Sequence, residues 1–372
     1  MRKSFKYKLY RSKKNRYLDR LIIFSGVIYN HCIALHKRYF KLTGKYLNPN
    51  RLKTHLTKLK KIKKYEFYRF VPSQAIQDIV ERIDRGYKLF FKYQKDKSVG
   101  LRYSPPSFKK TRKYKSFTLK QAGYKLLDGN RIKIGDKMFK FSKSRDIIGA
   151  IKTVTIKRDA LGDFYITFSC DNVEPQTIKP MTGKSAGFDF GLKTFLTCSD
   201  GIVEINSPLV FTSGLKEIRR ANKAVSRKKI WSNSRRKAVV NLARIHKLIT
   251  YKRRDFHFKL ANKLVCDYDY LFFEDLNISA MKKLWGRKVS DLGFSDFLNI
   301  VGHKCSEYGK KMSTVDRFFP STKTCNMCKN VNKSMGFKDL SNREWICPSC
   351  GVLLHRDRNA ARNILEEGIR RL

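Results

Sequence analysis

The sequence predicts a multidomain chain in which an α+β part is followed by an α/β part. Three observations carry this prediction. At 372 residues the chain is too long for one small core. Its first half passes from amphipathic helical spacing into short alternating runs broken by turn residues. Its second half sets apolar strands closed by acids among helical segments, with a paired cysteine insert near the end.

Residues 1–10 alternate basic and apolar positions (Phe5, Tyr7, Leu9), the period of a strand. From about residue 16 to 42 the period becomes helical: Leu21, Phe24, Ile28 and Leu35 share a face, and Gly44 stops the run. Residues 51–64 place Leu52, Leu56, Leu59 and Ile62 on one side and lysines on the other. Beyond Pro72 a further helix is expected, capped by Ser73, with Ile76, Val80, Ile83 and Tyr87 facing the core. Pro105-Pro106 ends this basic helical module. Residues 124–127, 132–134, 154–156 and 164–168 then read as hairpin strands around Asp128-Gly129 and Gly162. They predict a small β barrel or sandwich, which the first strand joins. The stretch 171–185, with two prolines and little period, reads as a linker.

After it, residues 186–190, 195–198 and 202–205 read as three strands, with Asp200-Gly201 turning between the last two. Residues 214–263 predict a helical hairpin, on which Leu242, Ile245 and Ile249 recur at helical spacing. A strand at 270–273 ends at Glu274, a loop follows at 275–280, and Phe294–Tyr308 reads as a helix.

Charge narrows the function. The 82 Lys+Arg against 31 Asp+Glu give a formal net charge of +51, a self-repulsion whose usual reason is a polyanionic partner. Tyrosines and phenylalanines interleave the lysines, as in LRYSPPSFKKTRKYKSF, which suits stacking on exposed bases. No apolar stretch follows the charged start MRKSFKYKLY, so no leader is expected, and the apolar runs are too short for a membrane span. Cys32, Cys170, Cys198, Cys266 and Cys305 are scattered in apolar or amphipathic strings and read as buried thiols of a reducing cytoplasm.

Three acids stand out in a chain short of acids. Asp189 follows an apolar strand and precedes Gly191. Glu274 ends a still more apolar strand, where an unpartnered carboxylate is costly. Asp357 opens the helical stretch RNAARNILEEGI. Hard carboxylate oxygens converging from rigid elements suit divalent metals that cleave phosphodiesters. Taken alone, Asp189 reads equally well as a turn acid and Asp357 as a helix cap, and Glu274 less readily as the start of a loop; taken together, three acids at the ends of apolar elements weaken those readings. The four cysteines Cys325, Cys328, Cys347 and Cys350 form two C-x-x-C pairs with eighteen residues between them, the spacing of a four-thiolate zinc ribbon. Lys323, Lys329, Lys333, Lys338 and Arg343 surround it, as expected of a ribbon that touches nucleic acid. His355 is expected beside the carboxylates rather than on the zinc.

In the order D-x-G-x-K, E-D-L-N, C-x-x-C…C-x-x-C-G and R-D-x-N-A-A-x-N-I, the chain resembles TnpB. This family comprises RNA-guided nucleases of IS200/IS605-type or IS607-type insertion sequences, related to type V CRISPR effectors. The N-terminal MRKSFKYKLY, YNHC at 29–32, VPSQAIQDIVERID at 71–84 and FFPSTKTC at 318–325 also match its pattern. The resemblance implies a β-barrel wedge domain at 1–12 and 105–172, interrupted by a helical recognition domain at 13–104. It implies a linker at 173–185, then a RuvC (RNase H-like) nuclease domain at 186–320 and 352–372, with a zinc-ribbon insert at 321–351. It implies Asp189, Glu274 and Asp357 as catalytic Mg²⁺ ligands holding two ions, for which Mn²⁺ can substitute, and one structural Zn²⁺. The implied partners are a transposon-derived guide RNA (omega RNA) and double-stranded target DNA beside a short motif, bound by a monomer, with no membrane. The alternatives are a guide-independent transposase or structure-selective nuclease, and a guided repressor that does not cut. Lys329 stands where the family commonly has glycine, His355 where many members carry an aspartate, and Thr322 replaces a frequent serine.

Overall fold

The computed structural model describes residues 2–97, 102–173, 180–201, 204–336 and 342–372. The chain divides into two compact units, Met1–Glu174 and Pro175–Leu372.

In the first unit, β1 (Lys3–Lys8) leads into α1 (Asn15–Thr43), α2 (Pro49–Leu59), a 3₁₀ turn at Lys63–Phe70 and α3 (Ser73–Lys95). Six strands follow: β2 (Ser116–Leu119), β3 (Tyr124–Leu127), β4 (Arg131–Ile134), β5 (Lys137–Lys140), β6 (Ala150–Arg158) and β7 (Phe164–Asp171). They form a four-stranded sheet of order β1-β7-β6-β2 and a three-stranded meander β3-β4-β5. Alternation sets the register: Phe5 faces Phe168 and Tyr7 faces Ile166, so the apolar residues of both strands point to one side. That side meets the buried faces of α1 and α3 in one continuous core. Among the described helices, α1 is long and apolar enough by composition to cross a membrane. Here its apolar face (Leu18, Leu21, Ile22, Ile28, Ile33) is fully buried in that core.

Two local expectations need correction. The helix at 51–64 stops at Leu59, where the chain tightens into the 3₁₀ turn, leaving Ile62 50% exposed. Ser73 does not cap α3. It is the first helical residue, behind Pro72, and its hydroxyl accepts from Lys60 Nζ at 3.2 Å.

In the second unit, β8 (Ser185–Asp189), β9 (Thr194–Cys198) and β10 (Glu204–Asn206) run antiparallel. A short turn α4 (Val210–Ser213) leads to the hairpin of α5 (Leu215–Ser226) and α6 (Asn233–Asp267). β11 (Tyr270–Glu274), α7 (Ile278–Leu292), α8 (Phe294–Tyr308) and β12 (Lys311–Val315) follow, then β13 (Glu344–Ile346), β14 (Leu353–His355) and α9 (Arg356–Arg370). The main sheet has order β10-β9-β8-β11-β12, with β8, β11 and β12 parallel. The third sequence-read strand began at 202; residues 202–203 lie outside the described residues, as do 174–179 of the expected linker. The sequence reading contained no helix at 278–292. Gly286 breaks the helical backbone inside α7 (φ 13°, ψ −83°), which scrambles its apolar period.

β8 and β11 are buried on both faces, as parallel strands covered by helices must be. One face packs α6 and α8 through Phe188, Phe273, Leu264 and Phe297. The other receives α9. Gly187 permits this: a Cβ there would overlap the Ala361 carbonyl and the Leu365 amide of α9. At the start of β11, buried Asp269 accepts from the Gly183 amide (2.6 Å) and from buried Lys310 Nζ. Burial pushes its carboxyl pKa up, but Lys310 and the nearby amides outweigh that, and the pKa falls below the ordinary carboxylate range.

Candidate functional site

Parallel pairing brings two of the sequence-read acids to one end of the sheet. Phe188 lies opposite Phe273, so the next residues, Asp189 and Glu274, leave neighbouring strands side by side. Neighbouring strands lie about 4.8 Å apart. The carboxyl ends of parallel strands are where α/β sheets open toward ligands. α9 lies across β8 and supplies the third acid in its first turn, where the helix N-terminus favours negative charge.

The electrostatics follow from this convergence. Burial, then the charges of Glu274 and Asp357, raise the Asp189 pKa well above the usual carboxylate range; Arg356 opposes them. Burial and the adjacent Asp275 raise that of Glu274. Asp357, 9% exposed, accepts from Arg356 at 3.0 Å (Nε) and 2.7 Å (Nη2). Hard-oxygen groups whose charges oppose that of Asp189, with Arg356 relieving them only in part, fit a divalent cation, which would relieve the repulsion. The three carboxylates are not drawn into one tight cluster: among the described residues only the four cysteines place all their donor atoms within 4.8 Å of one another.

Those cysteines pass a geometric test. A tetrahedral metal about 2.3 Å from each thiolate requires sulfur–sulfur edges of about 3.8 Å. Cys325 and Cys350 Sγ are 3.8 Å apart, and Cys328 and Cys347 Sγ are 3.6 Å apart. Both are far beyond a disulfide bond. The two knuckles repeat one backbone design. Lys329 N donates to Cys325 O and Gly351 N to Cys347 O, each at 2.9 Å. Cys325 N donates to Asn330 O and Cys347 N to Val352 O, also at 2.9 Å. The residue after each second cysteine is left-handed, φ 63° at Lys329 and 70° at Gly351. A donor set of four thiolates closed in this way suits a structural zinc.

Residues that sequence reasoning left without a role connect the two centres. Asn359 and Asn363, one helical turn apart on α9, are 3% and 2% exposed. Asn359 Nδ2 donates to Thr324 O (2.7 Å), and its Oδ1 accepts from Asn326 N (2.9 Å). Asn363 Nδ2 donates to Ser321 O (2.8 Å) and Thr324 O (2.6 Å). Ala360 and Ala361 beside them are fully buried, so the helix lies close to what it holds. The available signal was two asparagines at i, i+4 in a helix, a polar pair on one face. Arg356 was also overlooked. His355 closes β14 two residues ahead of Asp357, and its buried Nδ1 has no hydrogen-bond partner. Of the scattered cysteines, Cys266 departs from expectation by being exposed, whereas the other four are buried. Lys338 lies outside the described residues.

Two family models match. One, described as "Probable transposase" (OrfB_IS605), covers residues 167–284; the other, "Cas12f1-like, TNB domain", covers 294–364. A protein of Streptomyces pristinaespiralis named "Putative RNA-guided DNA endonuclease" is 36% identical over 58% of this chain and 53% of its own length. A "TnpB-like protein" of Acanthamoeba polyphaga mimivirus is 30% identical over 62% of this chain and 46% of its own. The chain thus spans about half the length of these curated relatives. The Escherichia coli K12 protein named "Putative RNA-guided DNA endonuclease InsQ" is 26% identical over 92% of this chain and 86% of its own. Among solved structures, Cas12f1 in a complex with sgRNA and target DNA shares the fold, with TM-score 0.59 and 15% identity over 95% of this chain and 83% of that one. The first family model ends inside the helix after Glu274 and the second takes up the ribbon and α9, so the two together follow the acid-bearing segments in chain order, and the chain is similar to proteins named TnpB-like and RNA-guided DNA endonuclease.

Proposed function

We propose that this chain is an RNA-guided, Mg²⁺-dependent DNA endonuclease with one RuvC-type (RNase H-like) site, at which Asp189, Glu274 and Asp357 hold two metal ions. The observation that carries the reading is the electrostatic one: Asp189 sits in the combined field of Glu274 and Asp357 at the open end of a parallel sheet. Bound Mg²⁺ would supply an activated water and stabilise the departing oxygen. The chain's own contribution is positional. β8 and β11 fix two carboxylates on rigid strands, α9 brings the third, and Arg356 keeps Asp357 from swinging away. The same guanidinium is a donor of the right shape for a scissile phosphate.

The rest of the reading assigns residues 1–12 and 105–172 to a β-barrel wedge and 13–104 to a recognition domain. There, lysines and arginines hold a transposon-derived guide RNA and the duplex through phosphates. Residues 321–351 form a zinc ribbon beside the site, held by Cys325, Cys328, Cys347 and Cys350. The partners are guide RNA and double-stranded DNA, and the setting is a reducing cytoplasm. The relatives' names and the excess of 82 Lys+Arg over 31 Asp+Glu support these partners.

The test is to sequence RNA that co-purifies with the chain and to reprogram it against a chosen plasmid with Mg²⁺. Guided cleavage that disappears in Asp189→Ala, with guided binding retained, is the expected result. Cleavage by RNA-stripped protein would favour the guide-independent nuclease, and binding without cleavage the repressor.

A further inference from the structure

We propose that Trp231, at the tip of the α5–α6 hairpin, is a stacking platform for an unpaired nucleobase. It rests on the nucleic-acid part of the reading above but not on cleavage. Three observations converge there. The indole is 81% exposed and its neighbour Ile230 63%. Tryptophan normally loses most of its surface in folding, so display on this scale needs a reason. Next, Trp231 has φ 75°. Residues 229–232 form a turn closed by Ser232 N donating to Lys229 O at 3.1 Å, with Trp231 at its third position. Positive φ at that position is the usual place of glycine, and a bulky aromatic there is strained. Strain tolerated at an exposed tip points to function.

The tip is also rigidly built. Ser232 Oγ caps α6 by accepting from Arg235 N at 3.1 Å. Arg235 Nη1 donates to Val225 O and Lys228 O, both at 3.1 Å, which ties α6 to the end of α5 and the turn that follows it. An aromatic face on a fixed base loses little freedom on binding.

Charge selects the occupant. Residues 218–254 contain fourteen Lys or Arg and no Asp or Glu, and Arg227, Lys228, Lys229 and Arg236 lie within five residues of Trp231 in the chain. A second copy of this face would be repelled. An aromatic plane among cations is the arrangement that holds single-stranded nucleic acid, the ring under a base and the cations on the backbone.

The chain has three tryptophans, so Trp285→Phe/Trp345→Phe leaves Trp231 as the only one. The full-length protein, stripped of RNA and kept free of Mg²⁺ with its zinc retained, is titrated with a single strand of about twenty nucleotides and with a blunt duplex of equal length. The single strand is expected to quench the Trp231 emission and the duplex to leave it unchanged. In the otherwise native chain, Trp231→Ala should weaken single-strand binding by about 5- to 150-fold, with Trp231→Phe between the two. Trp231→Gly should raise the melting temperature while weakening binding; a purely structural Trp231 would lower the melting temperature on the same change. Unchanged emission with the strand bound, equal quenching by the duplex, or equal affinity of Trp231→Ala would overturn the proposal. So would quenching by polyglutamate but not by the oligonucleotide, which would reassign the ring to an acidic protein. Because the titration needs no Mg²⁺, a failure to cleave DNA in the digest above leaves these outcomes unaffected.

Discussion

Asn359 Oδ1 accepts the backbone N–H of Asn326 at 2.9 Å, so the helix that carries Asp357 is tied to the first cysteine knuckle by a residue that ligates nothing. The Asn359 amide is almost wholly buried, and its Nδ2 holds Thr324 O. Removing it strands the Asn326 N–H, at a cost of about 1–3 kcal/mol when buried, while Thr324 O keeps the Asn363 amide. Asn359→Ala is therefore expected to loosen the ribbon from α9 and lower cleavage. Zinc content should stay near one per chain and RNA binding should stay unchanged. Hydrogen exchange across 321–330 together with metal analysis reads this out; unaltered exchange would mean the clamp is dispensable.

Gly187 offers a second handle on Asp357. A methyl group there overlaps backbone of α9 rather than a flexible side chain, so α9 itself must shift. Overpacking of this kind costs about 1–3 kcal/mol. Gly187→Ala should lower the melting temperature and reduce cleavage further than the stability loss alone explains, because the acid of α9 is displaced from the two on the strands. A variant as active as the native chain would show that α9 can move without consequence.

Lys329 occupies a left-handed position whose counterpart in the second knuckle is Gly351. For a residue with a Cβ that conformation costs about 1 kcal/mol. Lys329 Nζ is bonded to Asn326 O at 2.6 Å and paired with Glu366, but both partners of the ion pair are about half exposed, and such pairs contribute little. The strain outweighs the pair. Lys329→Gly should thus bind zinc several-fold more tightly in competition with a chelator, whereas Lys329→Ala, which keeps the strain and loses the pair, should not gain.

The strands of the second unit were legible because their patterns are local. The apolar runs before Asp189 and Glu274 need only a period and an end. The parallel pairing that sets those ends side by side is not local, and neither is the identity of the helix laid across them. α7 escaped notice because Gly286 interrupts its period, and Ile62 was misplaced because α2 tightens one turn early. Asn359 and Asn363 had no visible purpose, since their partners at 321–326 become neighbours only once the ribbon is threaded beside α9. Trp231 could have been read only as an aromatic in a basic run; its φ and exposure arise in the turn.

His257 is fully buried, and its Nε2 lies 2.9 Å from Leu292 O, which makes that nitrogen the donor. Burial lowers its pKa, Arg253 and Arg254 add to this, and the Leu292 contact and Asp296 only partly offset them. A histidine whose folded pKa lies below its unfolded value contributes stability above the unfolded pKa and loses it as pH falls through the folded one. The native chain should therefore lose melting temperature below about pH 6.5, where the unfolded histidine begins to take up a proton. His257→Gln keeps a donor without a titratable ring and should flatten that part of the profile, relative to native, at a fixed cost of about 1–2 kcal/mol from imperfect packing. An unchanged slope would place the acid sensitivity elsewhere.

Asp189 is the position where activity and stability should move in opposite directions. In the metal-free chain its charge is opposed by burial and by Glu274 and Asp357, with Arg356 giving only partial relief. A carboxyl group held above its ordinary pKa destabilises the fold once ionised, and the loss grows as pH rises through the raised value. Asp189→Asn removes the charge and keeps the shape, so the metal-free variant should melt higher than the native chain near neutral pH. Mg²⁺ should raise the melting temperature of the native chain and have less effect on the variant, and guided cleavage by the variant should fall by at least about 100-fold. If Asp189 were merely a turn residue after a strand, the amide would leave cleavage intact and the response to Mg²⁺ unaltered. Opposite signs for cleavage and for metal-free melting cannot come from a folding defect, because a defect would lower both.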